Sequence, residues 1–337
     1  MSDPAFRPSQ SLTVLRGEHL RVINGANLGD PLSFADELVM EDIYRLSPLA
    51  NPAPLALSRL ARSPFTIAGH SESGTPGADL HLDCCLTFMS GDGSTTECLV
   101  LVETDAEGNV AQVFAHPLAP MNARTDYVLV RADQDGALQR FAQIACVSFA
   151  RGTAITMATG AQKPVEDIKA GDRVLTRDAG VQEIRWIGHQ TVRAIGALAP
   201  IRIAAGTLNN TRDLIVSPDF RLFIYQRRDT LGAGRSEVLV RARHLVNGTS
   251  ITCVEGGFVD YYQMLFDDHQ IIYAEGIAAE SMLVNDRTSG VLPDALHDDL
   301  ATLIPGHRRT DISDFEIGEH LLARPDIAER LRKSSEG

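Results

Sequence analysis

Apolar and polar residues alternate over short stretches along most of this chain, and turn-forming residues separate the stretches. In the first 145 residues the runs SLTVL, HLRVI, LHLDCCLTFM, CLVLVET, VAQVFAH and DYVLVRA read as strands. A period of two sends alternate side chains to opposite faces of a sheet, and Gly, Asp, Asn and Pro clusters bound each run. Gly91-Asp92-Gly93 and Glu107-Gly108-Asn109 supply turns, and residues 69–79 (GHSESGTPGAD) form a Gly/Ser-rich loop. Residues 33–46 (SFADELVMEDIYRL) fit a short helix capped by Ser33 and fit a strand as well. Many short strands with regular turns predict a sandwich or barrel. We expect a β-sandwich-like domain over residues 1–145.

A second β-rich unit is expected over residues 146–290. Its strand candidates are ITMAT, RVLTR, IRWIG, PIRIA, DLIVS, RLFIY, EVLVRA and QIIYAEG, with Gly171-Asp172 turning the chain into RVLT. Trp186, the single tryptophan, is expected to fill core within EIRWIG. From residue 291 the spacing changes to three and four. PDALHDDLATLI and FEIGEHLLARPDIAERLRK read as amphipathic helices, the second interrupted by Pro325, so residues 291–337 are expected as a helical tail. The fold class is therefore mostly β.

Composition narrows the chemistry. Hydrophobic residues make up 44% of the 337, enough for a sizeable core. A net charge of −13 argues against nucleic acid as the main partner. No apolar run reaches the 18 or so residues of a membrane helix. The opening MSDPAFRPSQSLTVLRGEHL lacks a basic start followed by an apolar core, so the location expected is cytoplasmic, with unconventional export as the other route. Cys84, Cys85, Cys98, Cys146 and Cys253 are odd in number and irregular in spacing, which fits reduced thiols better than a disulfide framework. Adjacent Cys84 and Cys85 should face opposite sides of one strand as small buried hydrophobes. No Cys/His set has zinc spacing and no phosphate loop or dinucleotide fingerprint occurs, so no cofactor is expected.

Three stretches carry candidate chemistry: Ser148 to Thr176 (SFARGTAITMATGAQKPVEDIKAGDRVLT), Asp213 to Leu222 (DLIVSPDFRL) and Phe266 to Gly276 (FDDHQIIYAEG). Together they resemble the Hint (Hedgehog/intein) autoprocessing module in its standalone bacterial form, over about 140 residues. The resemblance implies an all-β Hint fold. It also implies an acyl shift, in which a side chain attacks the carbonyl of the preceding residue while the amide nitrogen is protonated and leaves. The first block of the family reads Cys-Phe-x-x-Gly-Thr. Phe149, Gly152 and Thr153 match it, which puts Ser148 in the nucleophile's place. Cys146 is the alternative nucleophile; it shares strand parity with Ser148 but lies about 6–7 Å away along an extended chain, so a bulge or register slip would be needed.

The second block should read Ser-Pro-x-His, and the chain has Ser217-Pro218-Asp219-Phe220. The resemblance gives Ser217 a part in holding the scissile region. Phe220 stands where the catalytic His is expected and cannot move a proton. Asp219 is expected as a solvated turn carboxylate. In the third block His269 is the surviving acid-base candidate, with an imidazole that only braces the strand as the alternative. His189 and His244 are expected in structural roles, as are Asp267 and Asp268 or else exposed. Inteins end in His-Asn before Cys, Ser or Thr; Asn285 between Val284 and Asp286 does not match, so splicing is not expected. The implied function is a Hint protein whose degenerate site serves as scaffold or binding module. The alternative is self-cleavage of the Val147–Ser148 bond by an N–O acyl shift. By analogy alone, the N-terminal domain would present a surface to a protein or carbohydrate.

Overall fold

The computed structural model describes residues 10–59, 64–145, 148–225 and 237–283. The predicted helices after residue 291 and the Asn285 region lie outside these residues. The described chain falls into two compact units, one ending at Gln143 and the other beginning at Ile144. Both are built from antiparallel strands, so the mostly β class holds.

In the first unit one long strand organises the sheet. Asp79–Ser90 pairs along one edge with Thr95–Thr104; along the other it pairs first with Phe65–Ile67 and then with Asp126–Asp133. The first of these routes returns through Ala53–Arg59, Gln10–Arg16 and Val110–Pro117 to Thr95–Thr104, and closes a ring of strands. The second extends the sheet through Asp126–Asp133 to Ile43–Leu46 and Leu20–Asn24. Closure removes exposed edges and lets a strand bury both faces. Cys84 and Cys85, on opposite faces of Asp79–Ser90, are accordingly both buried. Burial pushes the Cys85 thiol up to about 12, and the Cys84 and Cys98 thiols are raised further for the same reason, so these cysteines behave as apolar core. An aromatic row supports the extension: Phe88 meets Tyr44 and Tyr127 edge-on, with centroids 5.5 and 6.3 Å apart. Segment 33–46 divides between the alternatives, with a short turn of helix at Ala35–Glu37 and a strand at Ile43–Leu46. The helix Ala137–Ala145 was not foreseen; its Phe141 packs on Phe65 at 5.2 Å.

The second unit contains two six-stranded sheets and a small hairpin, Arg173–Leu175 with Val181–Glu183. The first sheet runs in the order Trp186–Arg193, Phe258–Leu265, Phe149–Ala150, Leu214–Val216, Ile201–Ile203, Ile251–Cys253. The second runs Gln162–Pro164, Ala154–Thr156, Ile271–Ala274, Ile277–Glu280, Arg221–Tyr225, Glu237–Arg241. Their apolar faces share one core that includes Phe149, Val216, Phe220, Leu222, Met264 and Ile272. Three times the chain leaves the first sheet and enters the second. It does so between Ala150 and Ala154, between Val216 and Arg221, and between Leu265 and Ile271. Gly152, at φ +87°, makes the first of these turns, a backbone conformation that costs a side-chain-bearing residue more. These three crossings coincide with the three stretches singled out in the sequence.

Candidate functional site

Phe149–Ala150 is only two residues long and lies between Leu214–Val216 and Phe258–Leu265. Ser148 enters just before it, 1% exposed, with a neighbour on either side. On one side Ser148 and Ser217 hold each other reciprocally. The Ser148 N–H donates to Ser217 Oγ at 3.1 Å, and the Ser217 N–H donates to the Ser148 carbonyl at 3.0 Å. On the other side Gln263 Nε2 donates to Ser148 Oγ at 3.0 Å. The sequence offers Ser148 and Ser217 as site residues, and the fold brings those two together.

Gln263 was missed. Its place depends on Gly188, which faces it across the strand pair. A Cβ at Gly188 would stand 2.9 Å from Gln263 Oε1 and 2.2 Å from the Trp186 ring. The missing side chain thus makes room for both. Trp186, expected as a core filler, is instead only partly buried and lies over Gly188.

The chemistry open to this cluster follows from its donors and acceptors. For an acyl shift the Ser148 hydroxyl must give up its proton, and the Ser148 nitrogen must gain one as it leaves. The Gln263 amide NH2 occupies a lone pair on Oγ and cannot accept a proton. Ser217 Oγ stands at the nitrogen that would leave, and its hydroxyl is a proton source within hydrogen-bond reach. Cys146, the alternative nucleophile, and Val147 lie outside the described residues.

Phe220 is 0% exposed and meets Phe149 edge-on, with centroids 4.7 Å apart at 67°. The turn that delivers it is closed by its N–H donating to the Ser217 carbonyl at 3.0 Å. Phe220 is therefore a core residue. Asp219, expected in solvent, is buried. Its Oδ1 is 2.7 Å from Arg243 Nη1 and 3.3 Å from Arg241 Nη1. The reason is tertiary: Glu237–Arg241 folds back beside Arg221–Tyr225, and Arg241 at its end and Arg243 in the turn that follows meet Asp219.

His269 sits in the third crossing, 1% exposed, with Nε2 2.9 Å from Glu280 Oε1. Glu280 is completely buried and also paired to Arg221. Burial alone would raise the Glu280 carboxyl; the Arg221 charge and then His269 outweigh it and hold the group below the usual carboxylate range. The crossing is fastened by the Gln270 N–H to Ser281 Oγ and by the Ser281 N–H to the Gln270 carbonyl, each 2.9 Å.

The remaining candidates make contacts of their own. Thr153 Oγ1 donates to the Ala150 carbonyl at 2.8 Å. His189 is exposed; it stacks on Tyr262 at 4.7 Å, with Nε2 3.6 Å from Asp260. Asp267 is exposed and takes a bidentate pair from Arg185 at 2.9 and 2.8 Å. His244 lies in the short helical turn Ala242–Leu245. Among the described residues, no three His, Cys, Asp or Glu side chains gather as a metal set, and no helix is long and apolar enough to cross a membrane.

Residues 147–286 match the family model of the Hint domain. The second unit is thus a Hint domain, and the chain a Hint domain protein. Among solved structures, the chain is similar to a variant of the Ssp DnaB mini-intein at 6% identity. That match covers 41% of this chain and 97% of the other, with a TM-score of 0.28. It is similar to the gp41-1 intein at 12% identity, covering 40% and 97%, TM-score 0.26. It is also similar to a bacterial intein-like domain from Clostridium thermocellum at 17% identity, covering 40% and 97%, TM-score 0.27. No curated protein matches the chain.

Two buried polar residues that shape the site, Gln263 and Glu280, left a trace in the sequence. Each interrupts an apolar run, in YYQMLF and in GIAAESML. A polar side chain at a core-facing position needs a partner, and that need was the available signal.

Proposed function

We propose that this Hint domain is retained as a folded scaffold with its autoprocessing chemistry silenced. The observation that carries the reading is Phe220, sealed edge-on against Phe149 where the family places a histidine. A positioned acid-base group contributes about 10²- to 10⁴-fold in rate, and an apolar ring contributes none. Two further features support the reading. Gln263 offers the Ser148 hydroxyl a donor instead of a base, and His269 is engaged by a buried carboxylate.

Self-cleavage of the Val147–Ser148 bond is the second reading. One observation favours it: Ser217 Oγ hydrogen-bonds the nitrogen that would leave. Intact mass of freshly purified full-length protein, held in hydroxylamine or dithiothreitol, separates the two. Either nucleophile releases a chain joined through an ester or thioester. The scaffold reading expects full-length mass only. It further expects that Phe220→His, alone or with Ser148→Cys, gains cleavage. Fragments beginning at Ser148 from the unaltered protein would overturn it, and fragments beginning at Cys146 would move the nucleophile to that thiol.

A further inference from the structure

The first unit carries a polar groove of about 570 Å³. It lies where the turn after Asp79–Ser90, the segment leading into Asp126–Asp133 and the side chain of Arg45 meet. Small-ligand clefts commonly span about 300–1,000 Å³ and are lined mostly by apolar groups with a few polar ones. Here polar side chains predominate.

Several of those polar groups are uncommitted. Ser90 and Thr96 are 9% and 8% exposed and line the groove, yet neither hydroxyl bonds to another described residue. Groups so nearly buried usually find a partner, so a bare pair of hydroxyls facing a groove suits a ligand or ordered water. Arg124 stands on the wall with no carboxylate partner among the described residues. The two acids of the groove are already engaged. Asp126 Oδ1 receives Arg45 Nε at 2.7 Å and Nη2 at 2.6 Å, and Asp92 Oδ1 takes the Ser94 hydroxyl at 2.7 Å. Each of these pairs leaves the second carboxylate oxygen, Oδ2, as an acceptor. The set therefore holds one unpaired guanidinium, two hydroxyls and two carboxylate acceptors.

We propose that this groove binds an acidic glycan, with Arg124 pairing the carboxylate of a uronic acid residue. The Ser90 and Thr96 hydroxyls and the free oxygens of Asp126 and Asp92 bond the sugar hydroxyls. A planar guanidinium matches a carboxylate bidentately. Carboxylate acceptors match hydroxyl donors, and a ligand bearing both groups satisfies the whole set. The proposal uses no residue of the Hint domain, so cleavage results leave it untouched.

Calorimetric titration of the full-length protein with trigalacturonate at low ionic strength tests it, with neutral galactotriose as the second probe. Saturable binding of the acidic sugar, about tenfold or more tighter than the neutral one, is the expected result. Arg124→Ala should weaken the acidic sugar about tenfold and leave the neutral sugar unchanged. Arg124 is exposed and in no ion pair with a described residue, so its loss spares the fold. Ser90→Ala with Thr96→Val should weaken both sugars. Absence of binding, equal affinity for the two sugars, or full affinity in Arg124→Ala would overturn the proposal.

Discussion

Ser148 and His269 are both buried to 1% exposure, and both belong to stretches in which the chain passes from one sheet of the Hint domain to the other. Their surroundings differ in kind. Ser148 is held by neutral groups, the Ser217 backbone and hydroxyl and the Gln263 amide. His269 is held in a charged group, beside Glu280 and through it Arg221. Neutral hydrogen bonds of this kind are worth about 0.5–1.5 kcal/mol each, whereas breaking one side of a buried ion pair costs about 3–5 kcal/mol. The contacts at Ser148 itself are thus cheaper to change than those at His269. A site that loses its chemistry should keep its charged lock and change around the nucleophile. Phe220 and Gln263 both lie on the Ser148 side, Phe220 against Phe149 and Gln263 against Ser148 Oγ.

The largest test of this contrast is Glu280→Gln. It strands the Arg221 charge beside His269 in the interior, and we expect a loss of about 3–5 kcal/mol, measured by urea unfolding. A loss below about 1 kcal/mol would remove the distinction between the two clusters. The same pair predicts a pH response. The folded Glu280 carboxyl lies below its ordinary value of 4.5, so its contribution to stability is full above that value. It is lost as the pH falls from there toward the lower folded value. The urea midpoint of the unaltered protein should therefore drop more steeply below pH 4.5 than that of Glu280→Gln, and the two curves should converge at the acid end.

On the neutral side, Gly188→Ala forces a methyl group against the Trp186 ring and Gln263 Oε1. Overpacking of this sort costs about 1–3 kcal/mol. The displaced Gln263 should lose its bond to the Ser148 hydroxyl, seen as faster exchange of nearby amides than that loss of stability alone would give. Ser217→Ala removes the acceptor of the Ser148 N–H. At the lower end of about 1–3 kcal/mol, it is the smallest effect expected. Its clearest readout is exchange of the Ser148 amide itself. Unchanged protection there would mean that another acceptor holds this nitrogen.

Much of the fold was legible because local pattern and tertiary structure agreed. The runs LHLDCCLTFM, VAQVFAH and RLFIY became strands at Asp79–Ser90, Val110–Pro117 and Arg221–Tyr225. Phe258–Leu265 was missed, although it is one of the longest strands of the Hint domain. Both of its faces pack near its end, so the polar alternation that marks a half-exposed strand is absent there. The error carried Gln263 with it. Asp219 was misread for a related reason: a carboxylate near a proline reads as a solvated turn until a distant strand and the turn after it each deliver an arginine to it.

The sequence by itself determined the strand-rich class, the three stretches that resemble the Hint family, and the apolar ring at position 220. These follow from residue type and spacing, which act over a few positions. Only the tertiary structure decided that Ser148 is met by Ser217 from one strand and Gln263 from another. The same holds for His269, which meets Glu280 across eleven residues, and for Glu280, which meets Arg221 across fifty-nine. Pairing across a sheet joins residues far apart in the chain, and a polar side chain's role is set by the partner that burial forces upon it.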